Sequence, residues 1–200
     1  MAELYISVTG DKGGVGKSTI ACLLAEWLKH KGKSIKLIDA DPNQTSKTWV
    51  DKCSDKGYEV SSDDGEIVLV DTAGTSGSSL TKHISVSDVI VVPFQPHVSD
   101  LETVIGWYLS LKGDLQDRVC FIPNRMLNTK EQTEGISQLK TIINEEGKGR
   151  LLPGLFNRPA IYPSFLNGDK KNFFERELDE KTSNELENVF SNLIPVGVRG

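Results

Sequence analysis

Cysteine is scarce in this chain, with three residues in 200, at positions 22, 53 and 120. They are far apart and odd in number, and each has an apolar or helical setting. That excludes a disulfide framework and a Cys-x-x-Cys metal site, and it points to reduced thiols in a cytosolic protein. Long hydrophobic runs are absent too. None approaches the roughly 20 residues that a membrane span needs, and the first apolar stretch is too late and too mixed for a signal peptide. Positive charge is not in excess: 23 Lys and Arg stand against 28 Asp and Glu, a net of −5. The whole molecule is therefore no generic polyanion binder, although a local basic patch stays open. His30, His83 and His97 form no cluster, show no evident carboxylate partner and read as surface residues. There is no internal repeat or low-complexity segment. What remains is ordinary globular composition with 38% hydrophobic residues. We expect one domain over residues 1–194, burying about 70% of its unfolded surface, and a frayed tail over 195–200.

Five short apolar runs carry the fold signal. Leu4, Tyr5, Ile6 and Val8 form the first; Ile35–Ile38, Ile67–Val70, Val89–Val92 and Val119–Ile122 follow. They do not alternate, which is how strands covered on both faces of a parallel sheet look. Between and after them lie stripes at helical spacing: Ile20, Leu23, Leu24, Trp27 and Leu28; Leu101, Val104, Ile105, Tyr108 and Leu109; Ile136, Leu139 and Ile143; Leu186, Val189, Phe190, Leu193 and Ile194. Alternating strands and helices predict a doubly wound α/β fold with a mostly parallel sheet and helices on both faces. Gly32 ends the first helix in the expected place. The polar stretches Ser61–Gly65 and Gly74–Ser79 read as loops. From Gly147 to Asn172, with prolines at 153, 159 and 163, one short strand in irregular structure is expected.

Between the first run and the first stripe stands Gly10-Asp11-Lys12-Gly13-Gly14-Val15-Gly16-Lys17-Ser18-Thr19. Strand, glycine-rich turn and helix is the setting of a phosphate-binding loop. Glycines let backbone amides converge without Cβ clashes, and the helix N-terminus adds a positive dipole end. Gly13, Gly14, Val15, Gly16, Lys17, Ser18 and Thr19 are thus the candidate nucleotide-binding residues. Lys17 would reach the β- and γ-phosphates and the Ser18 hydroxyl a magnesium ion. Asp11 occupies the first glycine position of the usual template. The pattern that fits is K-G-G-x-G-K-[ST], with a second lysine, Lys12, opening the loop. Here the sequence resembles the ParA/MinD family of deviant Walker-A ATPases. The resemblance implies ATP and Mg²⁺ as cofactors, a homodimer with ATP sandwiched between subunits, and a catalytic Lys12 that reaches the partner's nucleotide.

The other polar groups fall at the carboxyl ends of the strand runs, where open α/β sheets bind ligands. Asp39-Ala40-Asp41-Pro42-Asn43-Gln44 is similar to the family's D-x-D-P-x-Q stretch. Side chains at i and i+2 of an extended strand share a face. By resemblance, Asp41 positions the attacking water and Asp39 supports the magnesium shell. A helix N-cap at Asp41 or Asn43 fits the same residues. Val70-Asp71-Thr72-Ala73-Gly74 is a Walker-B pattern, and Asp71 is expected to hold magnesium, usually through water. The family commonly continues with prolines where this chain has Ala73-Gly74. Pro93-Phe94-Gln95-Pro96 reads as a rigid turn. Pro123-Asn124-Arg125 places Asn124 where the family often contacts adenine.

Lys148, Arg150, Arg158, Lys170, Lys171 and Arg176 give the 148–176 segment six basic residues against two acidic ones. The small single-domain ParA-type partition ATPases, which this chain resembles in starting the loop about ten residues in, bind DNA non-specifically through basic residues near here. An ordinary solvated face explains the charge equally well. The resemblance implies a nucleoid-associated ATPase that hydrolyses ATP when stimulated by a cargo-adaptor or centromere-binding protein. It would partition or position a plasmid, a chromosome region or a protein assembly. The alternatives are a MinD-like regulator recruited to membrane by another protein, and a metabolic ATP-dependent ligase of the same fold. The final helix carries Glu177, Asp179, Glu180, Glu185 and Glu187 against Arg176 and Lys181. It therefore lacks the basic character of a membrane-surface helix, and no direct membrane insertion is expected.

Overall fold

A computed structural model describes residues 4–74, 78–168, 173–174 and 178–194. The apolar runs become strands β1 (Leu4–Val8), β2 (Ile35–Ala40), β3 (Ile67–Thr72), β4 (Val89–Phe94) and β5 (Val119–Pro123). The single further strand expected beyond Gly147 is β6 (Arg150–Leu151). All pair in parallel in one sheet of order β2-β3-β1-β4-β5-β6. The connecting helices are α1 (Lys17–His30), α2 (Thr45–Asp55), α3 (Ser78–Val86), α4 (Val98–Ser110), α5 (Lys130–Glu146), α6 (Tyr162–Leu166) and α7 (Glu180–Leu193).

Successive strand residues point to opposite faces, so each continuous run feeds two cores. On one face Ile6, Leu69, Val91 and Ile122 pack with Leu23 and Leu24 of α1 and with Leu186, Val189 and Phe190 of α7. On the other, Ile90, Val92 and Phe121 meet Leu101, Val104 and Tyr108 of α4 and Leu139 and Ile143 of α5. The predicted stripes are the buried faces, except that Ile105 and Ile136 are half-buried and Leu109 stands 49% exposed. This is the doubly wound P-loop NTPase fold. Among the described residues, no helix is long and apolar enough to cross a membrane.

Three helices escaped the periodicity. α2 buries only Ser46, Trp49 and Cys53, too few apolar positions to make a stripe. α6 is five residues long with Pro163 near its start, where proline is tolerated. α3 begins at Ser78, inside the polar stretch read as a loop. The acidic side chains of α7 tie it down. Glu185 accepts from the Phe156 amide at 2.8 Å and from Arg158 at 3.0 Å, and Glu187 accepts from the Trp27 indole at 2.7 Å. His97 does have a carboxylate neighbour, Glu131 at 3.4 Å, which corrects the sequence reading. The 195–200 tail lies outside the described residues.

The strand order decides where the site lies. The chain leaves β1 toward β2 and leaves β4 toward β5, so the loops after these two neighbours run apart. That opens a crevice at their carboxyl ends.

Candidate functional site

The glycine-rich loop leaves β1 at this crevice and turns directly into α1. Gly16 has φ +97°, and a Cβ there would stand 2.4 Å from the Asn124 amide nitrogen; only glycine fits. Asn124 is buried and donates to the Val15 carbonyl at 2.7 Å, clasping the loop from β5. Gly13, Gly14, Gly16, Lys17, Ser18 and Thr19 line a cleft of about 510 Å³ together with Asp41 and Gly74. Val15 is buried beneath them.

Lys17 is 6% exposed and donates to the Lys12 carbonyl at 2.9 Å. Burial pushes its pKa down, while Asp71, Asp41 and Asp11 pull it back up. An ammonium so placed lacks a full counter-charge of its own and suits an incoming polyanion. Gly74 makes that placement possible, because a Cβ there would come within 2.8 Å of the Lys17 ammonium and 3.2 Å of the Gly13 amide. The Ala73-Gly74 departure from the family's prolines is thus a close approach of backbone to the loop.

Three aspartates converge on this end of the cleft in different states. Asp71 faces Val8 and Asp39 in register at the sheet edge and is fully buried. Neither of its oxygens makes a well-formed hydrogen bond, although the Ser18 and Ser46 hydroxyls stand near enough to favour its ionised form. Burial dominates and pushes its pKa to about 6. A buried carboxylate left without donors beside the Ser18 hydroxyl fits a hard divalent cation such as Mg²⁺. Asp41 lines the cleft. One of its oxygens accepts from the Asn43 amide at 2.9 Å, which leaves the other for a water. Asp39 gives one oxygen to the Asp41 amide at 2.9 Å and the other to the Lys47 amide at 2.8 Å. It fixes the loop and holds the first turn of α2, so neither Asp41 nor Asn43 is the N-cap: that position is Gln44, and the capping hydrogen bond to the first turn comes from Asp39.

Beside the cleft a second, mainly apolar pocket of about 330 Å³ runs over Ile20, Leu23, Leu155 and Tyr162, with Asn124 and Arg125 at its border. Its size and lining suit a planar base. Arg125, exposed and with φ +55°, borders both spaces. Sequence reasoning stopped one residue short of it.

Lys12 is held in its own chain. Its ammonium makes an ion pair with Asp100 and donates to the Ser99 hydroxyl at 3.2 Å. The basic residues of the 148–176 segment do not share one face among those described. Lys148 contacts the Gly113 carbonyl at 3.3 Å. Arg150 donates to the Asn192 and Leu193 carbonyls at the end of α7. Both lie at the amino end of β6, whereas Arg158 lies past its carboxyl end, beside the second pocket and paired with Glu185. Lys170, Lys171 and Arg176 lie outside the described residues.

Residues 6–190 match the family described as the CobQ/CobB/MinD/ParA nucleotide binding domain. The chain belongs to that family. Over 187 residues it is 31% identical to the protein ParA of Rhizobium radiobacter, covering 82% of each chain. A shorter match, 35% identity over 74 residues, covers 29% of the sporulation initiation inhibitor protein Soj of Bacillus subtilis and 35% of this chain. In three dimensions it is similar to a putative plasmid partition protein from Borrelia burgdorferi bound to AMPPNP, with TM-score 0.70, 16% identity, and 94% and 97% of the two chains covered. It is similarly close to MinD from Pyrococcus horikoshii complexed with Mg-ADP, with TM-score 0.70, 13% identity and 98% of each chain covered. The family is one of nucleotide-binding domains, and the cleft is the candidate for its nucleotide site. Gly74 and Arg125, which line the cleft, and Gln95 and Asp100, which hold its loop from outside, were not singled out from sequence. Of these, Gly74, Gln95 and Arg125 stood inside stretches already noticed, and only Asp100 did not.

Proposed function

We propose that the protein is a Mg²⁺-dependent ATPase of the ParA type. It pairs around ATP, binds duplex DNA without reading its sequence in that state, and lets go when a cargo-bound partner stimulates hydrolysis. The observation that carries this reading is the cleft itself, where Lys17, Ser18 and Asp41 meet around one loop with the buried carboxylate of Asp71 close by. Asp71 and Ser18 would hold the magnesium, which supplies charge neutralisation across the terminal phosphates. The loop amides and Lys17 bind and orient those phosphates. Asp41, through its unspent oxygen, orients the attacking water, and Asp39 keeps the Asp41 loop in place. The neighbouring pocket takes the adenine, with Asn124 at its rim. Lys12 serves the nucleotide of a second subunit, as trans cations do in related NTPases. DNA binding would be electrostatic and would depend on pairing, because a dimer brings twice the number of basic side chains to one duplex.

The likeness to MinD favours a second reading with the same chemistry, in which a partner recruits the dimer to membrane. Sedimentation with ATP and Mg²⁺, followed by binding to random-sequence duplex and to anionic liposomes, separates the two. We expect a dimer with ATP and not with ADP. It should bind duplex in a salt-sensitive way and not bind liposomes. Lys12→Gln should abolish the dimer. Lys170→Glu with Lys171→Glu should leave the dimer and remove duplex binding. A dimer that binds only liposomes would select the second reading, and protein that takes up no nucleotide would overturn both.

A further inference from the structure

The ion pair between Lys12 and Asp100 is not explained by phosphate binding. Asp100 belongs to the first turn of α4 and is 5% exposed, a place where a carboxylate is costly without partners. Both of its oxygens are engaged: one by the Lys12 ammonium, the other by the Gln95 amide at 3.3 Å. Ser99 adds its hydroxyl to Lys12 at 3.2 Å, and the Gln95 side chain reaches back to the Gly14 carbonyl at 3.4 Å. The loop after β4 therefore grips the phosphate loop across the crevice, and among the described residues its charged hold is on Lys12. The second lysine of the cleft is connected to the same point, since Lys17 donates to the Lys12 carbonyl at 2.9 Å.

From this we infer that Asp100 is the intramolecular counter-ion which a terminal phosphate must displace from Lys12, so that Asp100 sets how strongly a triphosphate is preferred over a diphosphate. Lys12 cannot neutralise phosphate while its charge is neutralised by Asp100, and the two anions compete for one ammonium. A diphosphate seated on the loop amides and Lys17 leaves the pair undisturbed. A triphosphate, in either subunit's cleft, draws the ammonium away and leaves Asp100 on the Gln95 amide alone. Asp100 is thus a positioning residue: it acts on nucleotide only through Lys12. The inference rests on the proposed nucleotide site.

The test is a double-mutant cycle read by equilibrium binding of fluorescent ATP and ADP analogues. The proteins are the unaltered chain, Asp100→Asn, Lys12→Gln and the double variant. Asparagine keeps the shape and can still accept from Gln95, but it has no charge to hold Lys12. Asp100→Asn should bind the triphosphate about 5–10-fold more tightly and the diphosphate within twofold of the unaltered chain, since a surface-facing charge–charge contact of this kind is worth about one power of ten or less. On the Lys12→Gln background the same change should do nothing. Ser99→Ala, at an exposed position that does not endanger folding, should shift triphosphate binding about twofold in the same direction. Asp100→Glu should restore the original ratio. Equal weakening of both nucleotides by Asp100→Asn, or a gain that persists without Lys12, would make Asp100 a scaffold residue and overturn the inference. If Asp100→Asn fails to fold, an unchanged triphosphate affinity in Ser99→Ala overturns it instead. Absence of binding of either nucleotide to the unaltered chain would fail the site and not the competition.

Discussion

Replacing Asp71 by asparagine should make the protein more stable at neutral pH in the presence of a chelator, while disabling its nucleotide site. The carboxyl is fully buried, and its pKa stands at about 6 against an ordinary 3.8. Burial is the main cause and the Ser18 and Ser46 hydroxyls offset it only in part. A pKa raised on folding means that the folded state holds its proton more tightly than the unfolded state does. The penalty for ionising Asp71 is therefore absent below pH 3.8, grows as pH rises, and is complete above about pH 6. Its full size is about 3 kcal/mol, taking roughly 1.4 kcal/mol for each pH unit of displacement. Asparagine escapes that penalty but buries an amide whose donors find no partner, at a cost of about 1–3 kcal/mol. The net gain near pH 7.5 is then about 1 kcal/mol. The pH dependence is the firmer expectation, because the amide cost does not titrate. Between pH 4 and pH 7.5 the stability of Asp71→Asn relative to the unaltered chain should rise by about 2.5 kcal/mol, since a little of the penalty is already present at pH 4. Urea unfolding with EDTA at several pH values measures this directly. With Mg²⁺ and ATP at about 100 times Kd the order reverses, since the unaltered chain gains about 2.7 kcal/mol from ligand that the variant fails to bind. A stability difference that stays flat from pH 4 to 7.5 would refute the reasoning, for it would mean that Asp71 is already satisfied without a cation.

Asp41→Ala should keep most of its ATP affinity, lose most of its turnover and accumulate as the dimer, because the carboxylate orients water without making most of the phosphate contacts; phosphate release and sedimentation check both halves, and loss of nucleotide binding would place Asp41 among the scaffold residues. Glu185→Ala should destabilise the fold by about 3 kcal/mol, since it strands the largely buried Arg158 guanidinium and removes the acceptor of the Phe156 amide. Urea unfolding measures it, and a loss below about 1 kcal/mol would mean that the pair behaves like an exposed one.

The fold was legible in the sequence because its strands are buried on both faces and so advertise themselves as continuous apolar runs. The phosphate loop was legible because its chemistry needs glycines and lysines at fixed spacing. α2 was not, because a helix that buries Trp49 and Cys53 on an otherwise polar surface is held by its attachment to the sheet edge and not by an apolar stripe. Asp100 was invisible for a different reason. It is one aspartate in the first turn of a helix, where aspartate is ordinarily a favourable dipole partner, and only the strand order brings it to Lys12, 88 residues away. Lys148, Arg150 and Arg158 are close in sequence, but Arg150 opens β6 against the end of α7, while Arg158 lies beyond that strand beside the second pocket.

Asp39 and Asp41 show why spacing alone could not divide their labour. The i, i+2 argument holds while the chain is extended, and β2 ends at Ala40, between the two residues. Asp39 still belongs to the sheet and stands beside Asp71 in register. From there its oxygens catch the amides of Asp41 and Lys47 as the chain turns into α2. Asp41 lies past that turn, and its carboxylate borders the cleft because Asp39 has fixed its backbone. A side chain that accepts two backbone amides is poorly free to follow a moving phosphate, whereas one with an unspent oxygen at the cleft wall can. The strand end thus separates a residue that fixes the loop from one that faces the reaction, and the turn between them is what lets two aspartates one residue apart do different work.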